Sequence, residues 1–164
     1  ELGEVFGYYL AQSYRDLGLR CDCVVCVPMH KDRLKKRGYN PSELLAAQTA
    51  WELGLPLSAK ALYKTRETPR QTGSGGAERR ARLAGSFGAK RPLRIKGKTV
   101  LLIDDVLTTG ATAGECGAEL LRAGARRVYV LTAARSFKRK PKLMLPGGER
   151  GTAGAPPEIM IDIE

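Results

Sequence analysis

LLIDDVLTTGAT, residues 101–112, is the stretch that decides how this chain folds. An apolar, β-branched run from Thr99 to Ile103 ends in two adjacent acids, Asp104 and Asp105. Thr108, Thr109, Gly110, Ala111 and Thr112 follow at once, at the mouth of a helical pattern. A helix N-terminus exposes unpaired N–H groups and the positive end of its dipole, and Gly110 lets the backbone wrap closely around an oxyanion. The three threonine hydroxyls add donors for a monophosphate. Two adjacent carboxylates at the carboxyl end of a parallel strand are costly without partners, and ribose hydroxyls together with a divalent cation would satisfy them. The bland alternative is a solvated acidic turn before an ordinary helix cap.

Downstream, Ala113, Cys116, Gly117, Leu120, Leu121 and Gly124 recur at helical spacing, and Val128 to Leu131 reads as the next strand. Strand, helix, strand with short connections predicts a parallel, twisted α/β sheet with helices on both faces. Upstream, apolar residues at 2, 5, 6, 9, 10 and 17 predict a helix over 2–17 that covers the sheet. Val24 to Val27 is a short strand buried on both faces that stops at Pro28. HKDRLKKRGYN reads as a polar, basic loop. Asn40 is placed to cap a helix running to about Glu52, with Pro41 in its first turn, Glu43 at the capping-box position and Gly54 at its end. Leu44, Ala47, Gln48 and Trp51 share a face of that helix, which puts Trp51 in the core. RETPRQTGSGG, 66–76, has the composition of a mobile loop. A helical turn is expected from Glu78 to Leu83, and Phe87 should re-enter the core.

At 164 residues the chain fits one domain, read as 1–137, with 138–164 a basic, Gly/Pro-rich tail in which EIMIDIE, 158–164, suggests an edge strand. It opens on Glu1, with no signal-like segment and no membrane-spanning run, so a cytoplasmic protein lacking its start is expected, without a membrane partner. Cys21, Cys23, Cys26 and Cys116 form one crowded trio and a distant single residue, which reads as buried free thiols rather than a zinc site. The net charge is +11, and residues 60–98 hold twelve bases against Glu67 and Glu78. Such a segment attracts polyanions without saying which.

The 101–112 segment resembles the phosphoribosyl-pyrophosphate motif of type I phosphoribosyltransferases. VVCVPMHKDRLKKRGYN, TRETPRQ, ERRARLAGSF and ELLRAGARRVYVLTAAR resemble, in order and spacing, the ComF-like, competence-associated branch over about residues 2–137. The amino-terminal zinc ribbon common in that branch has no counterpart ahead of Leu2. Pro41 stands where the pattern usually has Gln, Arg82 where it has Asn, and Ser74, Gly75 and Gly76 where a leucine-containing stretch is usual.

The resemblance implies an enzyme that transfers a 5-phosphoribosyl group from 5-phosphoribosyl-1-pyrophosphate to a nitrogen nucleophile, releasing pyrophosphate with Mg2+ assisting. Asp104 and Asp105 would hold the ribose hydroxyls and the metal, and Thr108, Thr109, Gly110, Ala111 and Thr112 the 5-phosphate. The loop from Pro28 to Arg33, with Met29, His30, Lys31 and Arg33, would face pyrophosphate. The 66–76 loop would close over it, and Arg66 and Arg70 would join in stabilising the departing polyanion. His30 can bind phosphate, move a proton or simply cap a loop. Arg37, Gly38, Tyr39 and Asn40 match a family signature and are assigned to the site. A homodimer is compatible with the resemblance. Two other readings stay open: an accessory of DNA uptake that binds single-stranded DNA through residues 60–98, and a sensor that binds the donor without turnover.

Overall fold

The computed structural model describes residues 2–66, 83, 85–90, 94–135 and, as backbone, 161–163. Most of the expected 66–76 loop, Arg70, the turn from Glu78 apart from Leu83, and most of the tail lie outside the described residues. The elements are α1 (Leu2–Asp16), β1 (Cys23–Cys26), α2 (Lys31–Arg37), α3 (Pro41–Leu53), β2 (Leu62–Lys64), β3 (Phe87–Ala89), β4 (Thr99–Leu107), α4 (Ala111–Arg122), β5 (Arg127–Arg135) and β6 (Ile161–Ile163). The main sheet has the order β1-β4-β5-β6. The first three strands are parallel, and β6 runs antiparallel along β5. β2 and β3 form a separate antiparallel pair.

The fully buried runs of β1 and β4 explain why the sheet is covered on both faces. Alternation sends Val25, Val100, Leu102 and Val130 into a core with Phe87, Ile95, Cys116 and Leu120 under α4 and the β2–β3 pair. Val24, Leu101, Ile103 and Leu131 point the other way, against Leu10, Leu45, Ala46 and Ala50 of α1 and α3. Beyond α3, Leu57 bridges Val24 in parallel on the edge of β1 away from β4, while α4 carries the chain from β4 to β5. The chain therefore leaves neighbouring strands β1 and β4 in opposite directions with helices on opposite faces. That is the switch point outside which open α/β sheets place their ligand crevice.

Three expectations are corrected. HKDRLKKRGYN is not a loop throughout, because Lys31–Arg37 is helical: His30 caps it, Asp32 occupies its first turn, and Lys35, Lys36 and Arg37 face the negative end of its dipole. Asn40 takes the N-cap position of α3 without a side-chain cap bond; its Nδ2 instead donates to the Val27 carbonyl at 3.0 Å. Both helices over the second core turn a different face inward from the one expected. α3 buries Ser42, Leu45, Ala46, Thr49 and Ala50 and leaves Trp51 75% exposed. α1 buries Gly7, Leu10, Ala11 and Ser13 and exposes Val5, Phe6 and Tyr9. The cause is close approach: a Cβ on Gly7 would lie 2.4 Å from Gln48 Cβ, so the smooth faces of the two helices meet and the bulky ones turn outward.

Candidate functional site

The expected corner is longer than a strand end. β4 runs on through both acids to Leu107 because β5 keeps pairing with it, whereas β1 stops at the Cys26–Ile103 pair. Asp104 and Asp105 therefore lie just past the end of β1, where its side of β4 is open. Asp104 is 6% exposed. Its Oδ1 accepts from the Ser42 hydroxyl at 3.2 Å and from the Asp105 N–H at 2.9 Å. Burial, and then the charge of Asp105, push its carboxyl up to about 7. Asp105 is half-buried, and its Oδ1 accepts from the Val106 N–H at 2.9 Å.

The turn into α4 has the form that the residues suggest. Gly110 occupies the N-cap with φ 73°, a left-handed conformation that side chains rarely adopt, and supplies no side chain to cap the helix. The Ala111 N–H reaches Thr109 Oγ1 only at 3.4 Å. An incoming oxyanion would thus meet N–H groups of the first helical turn flanked by hydroxyls. Thr108 is exposed, Thr109, Gly110 and Thr112 are half-buried, and Ala111 is buried against the core under α4.

Pro28, Met29 and His30 leave β1 at this same end of the sheet, and Asn40 ties the Val27 carbonyl to the start of α3, whose Ser42 reaches Asp104. Three chain segments are so fastened around one corner. His30 is buried, its Nδ1 lying 3.4 Å from the Asp32 N–H and 3.5 Å from Asp32 Oδ2, so it has an orienting partner in the next turn. Lys31 is exposed and Arg33 half-buried; among the described residues neither pairs with Asp104 or Asp105. Arg37 is exposed, its guanidinium 4.9 Å from the Tyr39 ring centroid. Arg66 follows β2 beside the β2–β3 pair that flanks α4, with Nε donating to Ser86 Oγ at 3.0 Å. Arg70 lies outside the described residues. Sequence reasoning missed Ser42, Asp32 and Ser86, since short polar side chains carry no periodic signal.

Magnesium is the metal to test against this donor set. Two adjacent carboxylates suit a hard cation that takes one or two protein oxygens and completes its shell from substrate and water. Among the described residues no group of three or more His, Cys, Asp or Glu could enclose an ion unaided. No helix among them is long and apolar enough to cross a membrane. All four cysteines are free, with Cys23, Cys26 and Cys116 buried.

The family described as the phosphoribosyl transferase domain matches residues 6–145. DNA utilization protein YhgH of Escherichia coli O157:H7 is 33% identical over 124 residues, which cover 75% of this chain and 54% of that protein. Competence protein F of Haemophilus influenzae is 30% identical over 116 residues, covering 70% of this chain and 51% of that one. The chain thus spans about half the length of the curated relatives it matches. The solved glutamine phosphoribosylpyrophosphate amidotransferase from B. subtilis superposes with a TM-score of 0.56 at 24% identity, over 80% of this chain and 26% of that one, a likeness of fold. The parallel sheet, the acid-bearing strand and the glycine-capped helix are thus those of a known family: this chain belongs to the phosphoribosyl transferase domain family, in its ComF-like, type I branch.

Proposed function

We propose that the corner from Asp104 to Thr112 binds 5-phosphoribosyl-1-pyrophosphate and that the chain transfers its phosphoribosyl group to a nitrogen nucleophile, with pyrophosphate leaving. One observation carries this reading: two carboxylates and the glycine-capped N-terminus of α4 stand together at the switch point of the sheet. The 5-phosphate fits the first turn of α4 with the hydroxyls of Thr108, Thr109 and Thr112. The ribose diol fits the carboxylates, of which Asp104 is held in place by Ser42. Magnesium, when held by Asp104 and Asp105, supplies positive charge opposite the polyanion. Lys31, Arg33 and His30 follow β1 at the same end, where a departing pyrophosphate needs preorganised cations. Displacement of pyrophosphate by an acceptor nitrogen needs no side-chain nucleophile. Arg66 and Arg70 belong to this proposal as cations brought in by the 66–76 segment. The test is magnesium-dependent release of pyrophosphate across a panel of nitrogen acceptors. Release with one acceptor and its loss in Asp105→Ala are expected. Donor binding with no release from any acceptor would replace transfer by sensing.

A second reading, single-stranded DNA binding, draws on the names of the relatives and on the basic 60–98 segment. Against base stacking, Phe87 is buried under Lys64, 5.4 Å from the ring centroid, and Tyr63 carries Lys90 at 5.0 Å. Phosphate contacts are what this reading retains, and they require affinity to fall steeply with salt in a filter-binding series.

A further inference from the structure

The outer surface of α1 and α3 is apolar and open to solvent. Val5, Tyr8, Tyr9 and Leu44 are each about half exposed, and Trp51 is the most exposed large apolar side chain among the described residues. The two helices lie side by side and run the same way: Gly3 faces Leu44, Gly7 faces Gln48, and Arg15 Nη2 donates to the Glu52 carbonyl at 2.7 Å. Leu44, Gln48 and Trp51 stand at i, i+4 and i+7, so they form one ridge along α3, about two turns long, beside the glycine seam. Val5, Tyr8 and Tyr9 stand at i, i+3 and i+4 on α1, with the two tyrosine rings edge to face at 5.7 Å. A shallow trough between two such ridges is what a third helix fills.

Charge selects the occupant. The chain carries +11, yet α1 and α3 contain no lysine and only Arg15 against Glu4, Asp16, Glu43 and Glu52. Because the helices run the same way, their carboxyl ends and the negative ends of both dipoles lie together. Asp16 and Glu52 stand in those last turns, where cations are the usual complement. Neutral amides hold these two carboxylates without cancelling their charge: Gln12 Nε2 donates to Asp16 Oδ1 and Gln48 Nε2 to Glu52 Oε1, each at 3.1 Å. Arg15 is drawn to the Glu52 main chain. A second copy fits poorly. Laid parallel on this face it would bring Asp16 and Glu52 against their own counterparts, and laid antiparallel it would bring them towards Glu43.

We infer that the α1–α3 face docks an amphipathic helix of a different protein, one with an apolar stripe and a lysine- or arginine-rich amino-terminal end. The stripe seats on Leu44, Val5, Tyr8 and Trp51, with the two aromatic side chains as anchors. The helix runs antiparallel to α1 and α3, so that its basic, dipole-positive end meets Asp16 and Glu52. No residue of the acid corner takes part, so docking is independent of the proposed donor site.

Trp51 is the one tryptophan of the chain, so its emission reports on this face directly. The probe is a synthetic helix of about 18 residues without aromatic side chains, with leucine along one face and lysine filling the rest of its first two turns. Titrated into the whole chain, it is expected to shift the emission to the blue and to saturate. Leu44→Ala and Tyr8→Ala should each weaken binding about tenfold or more, and Asp16→Asn combined with Glu52→Gln should weaken it as well. Leu34→Ala, which removes an exposed apolar side chain from α2, should leave it unchanged. A second probe with glutamate in place of lysine should bind more weakly, although the overall charge of +11 favours it. No saturable shift with the lysine helix overturns the inference, as does tighter binding of the glutamate helix or equal weakening by Leu34→Ala. A blue shift that grows with the concentration of the chain alone gives the face to a second copy. One produced by phosphatidylglycerol vesicles and not by the peptide gives it to a membrane surface, and either result overturns the inference.

Discussion

Asp104 carries the largest electrostatic cost at the acid corner. Burial and the neighbouring charge of Asp105 raise its carboxyl from an ordinary value of 3.8 to about 7. The folded value lies above the unfolded one, so stability is full below the lower value and drains as pH rises towards the upper. Asp104→Asn keeps an acceptor for Ser42 and for the Asp105 N–H while removing the ionisation. Without divalent cation, its Tm should match that of the parent at pH 4 and exceed it by pH 8; a gap that ignores pH would contradict the buried-carboxyl account. The thiols make a second prediction. Burial raises Cys21 and Cys26 to about 12, leaving a thiolate fraction on the order of one in 10⁴ at pH 8. Alkylation should be slow in the folded chain and complete at all four cysteines in denaturant; rapid labelling of the folded chain would contradict their burial. The acids, the threonines and Gly110 were legible as a candidate site because they are contiguous. The Ser42 partner was not, since that contact spans 62 positions.

At the scale of elements, spacing located the helices better than it located their faces. α4 buries the stripe its sequence suggests, including Ala113, Cys116 and Leu120. α1 and α3 carry apolar residues on more than one side, and packing through Gly7 and Ala46 chose the smooth side. Leu120→Ala should therefore cost about 2–5 kcal/mol, and Trp51→Ala less than about 0.5 kcal/mol, both read from denaturant unfolding. A large loss at Trp51 would reverse the α3 assignment. Gly7→Val forces α1 off α3 and should lower Tm markedly, whereas Gly3→Ala, whose Cβ would meet Leu44 Cβ at 3.5 Å, should be tolerated. α2 was missed because a single leucine among charges offers no stripe, and its capping by His30 and charge gradient were the available signal.

Across the whole molecule, parallel order, two-faced burial and the switch point follow from a few apolar runs, which is why the fold was readable while the acceptor was not. The charge of +11 is the sum of many separate cations spread along the chain, and that sum alone named no ligand. The proposed activity requires one corner to grip a phosphorylated sugar. Calorimetric titration with 5-phosphoribosyl-1-pyrophosphate and magnesium measures that grip directly. One saturable event is predicted, weakened about a hundredfold or more in Asp105→Ala and in Gly110→Val. Heats that are the same for the parent and both variants would contradict it.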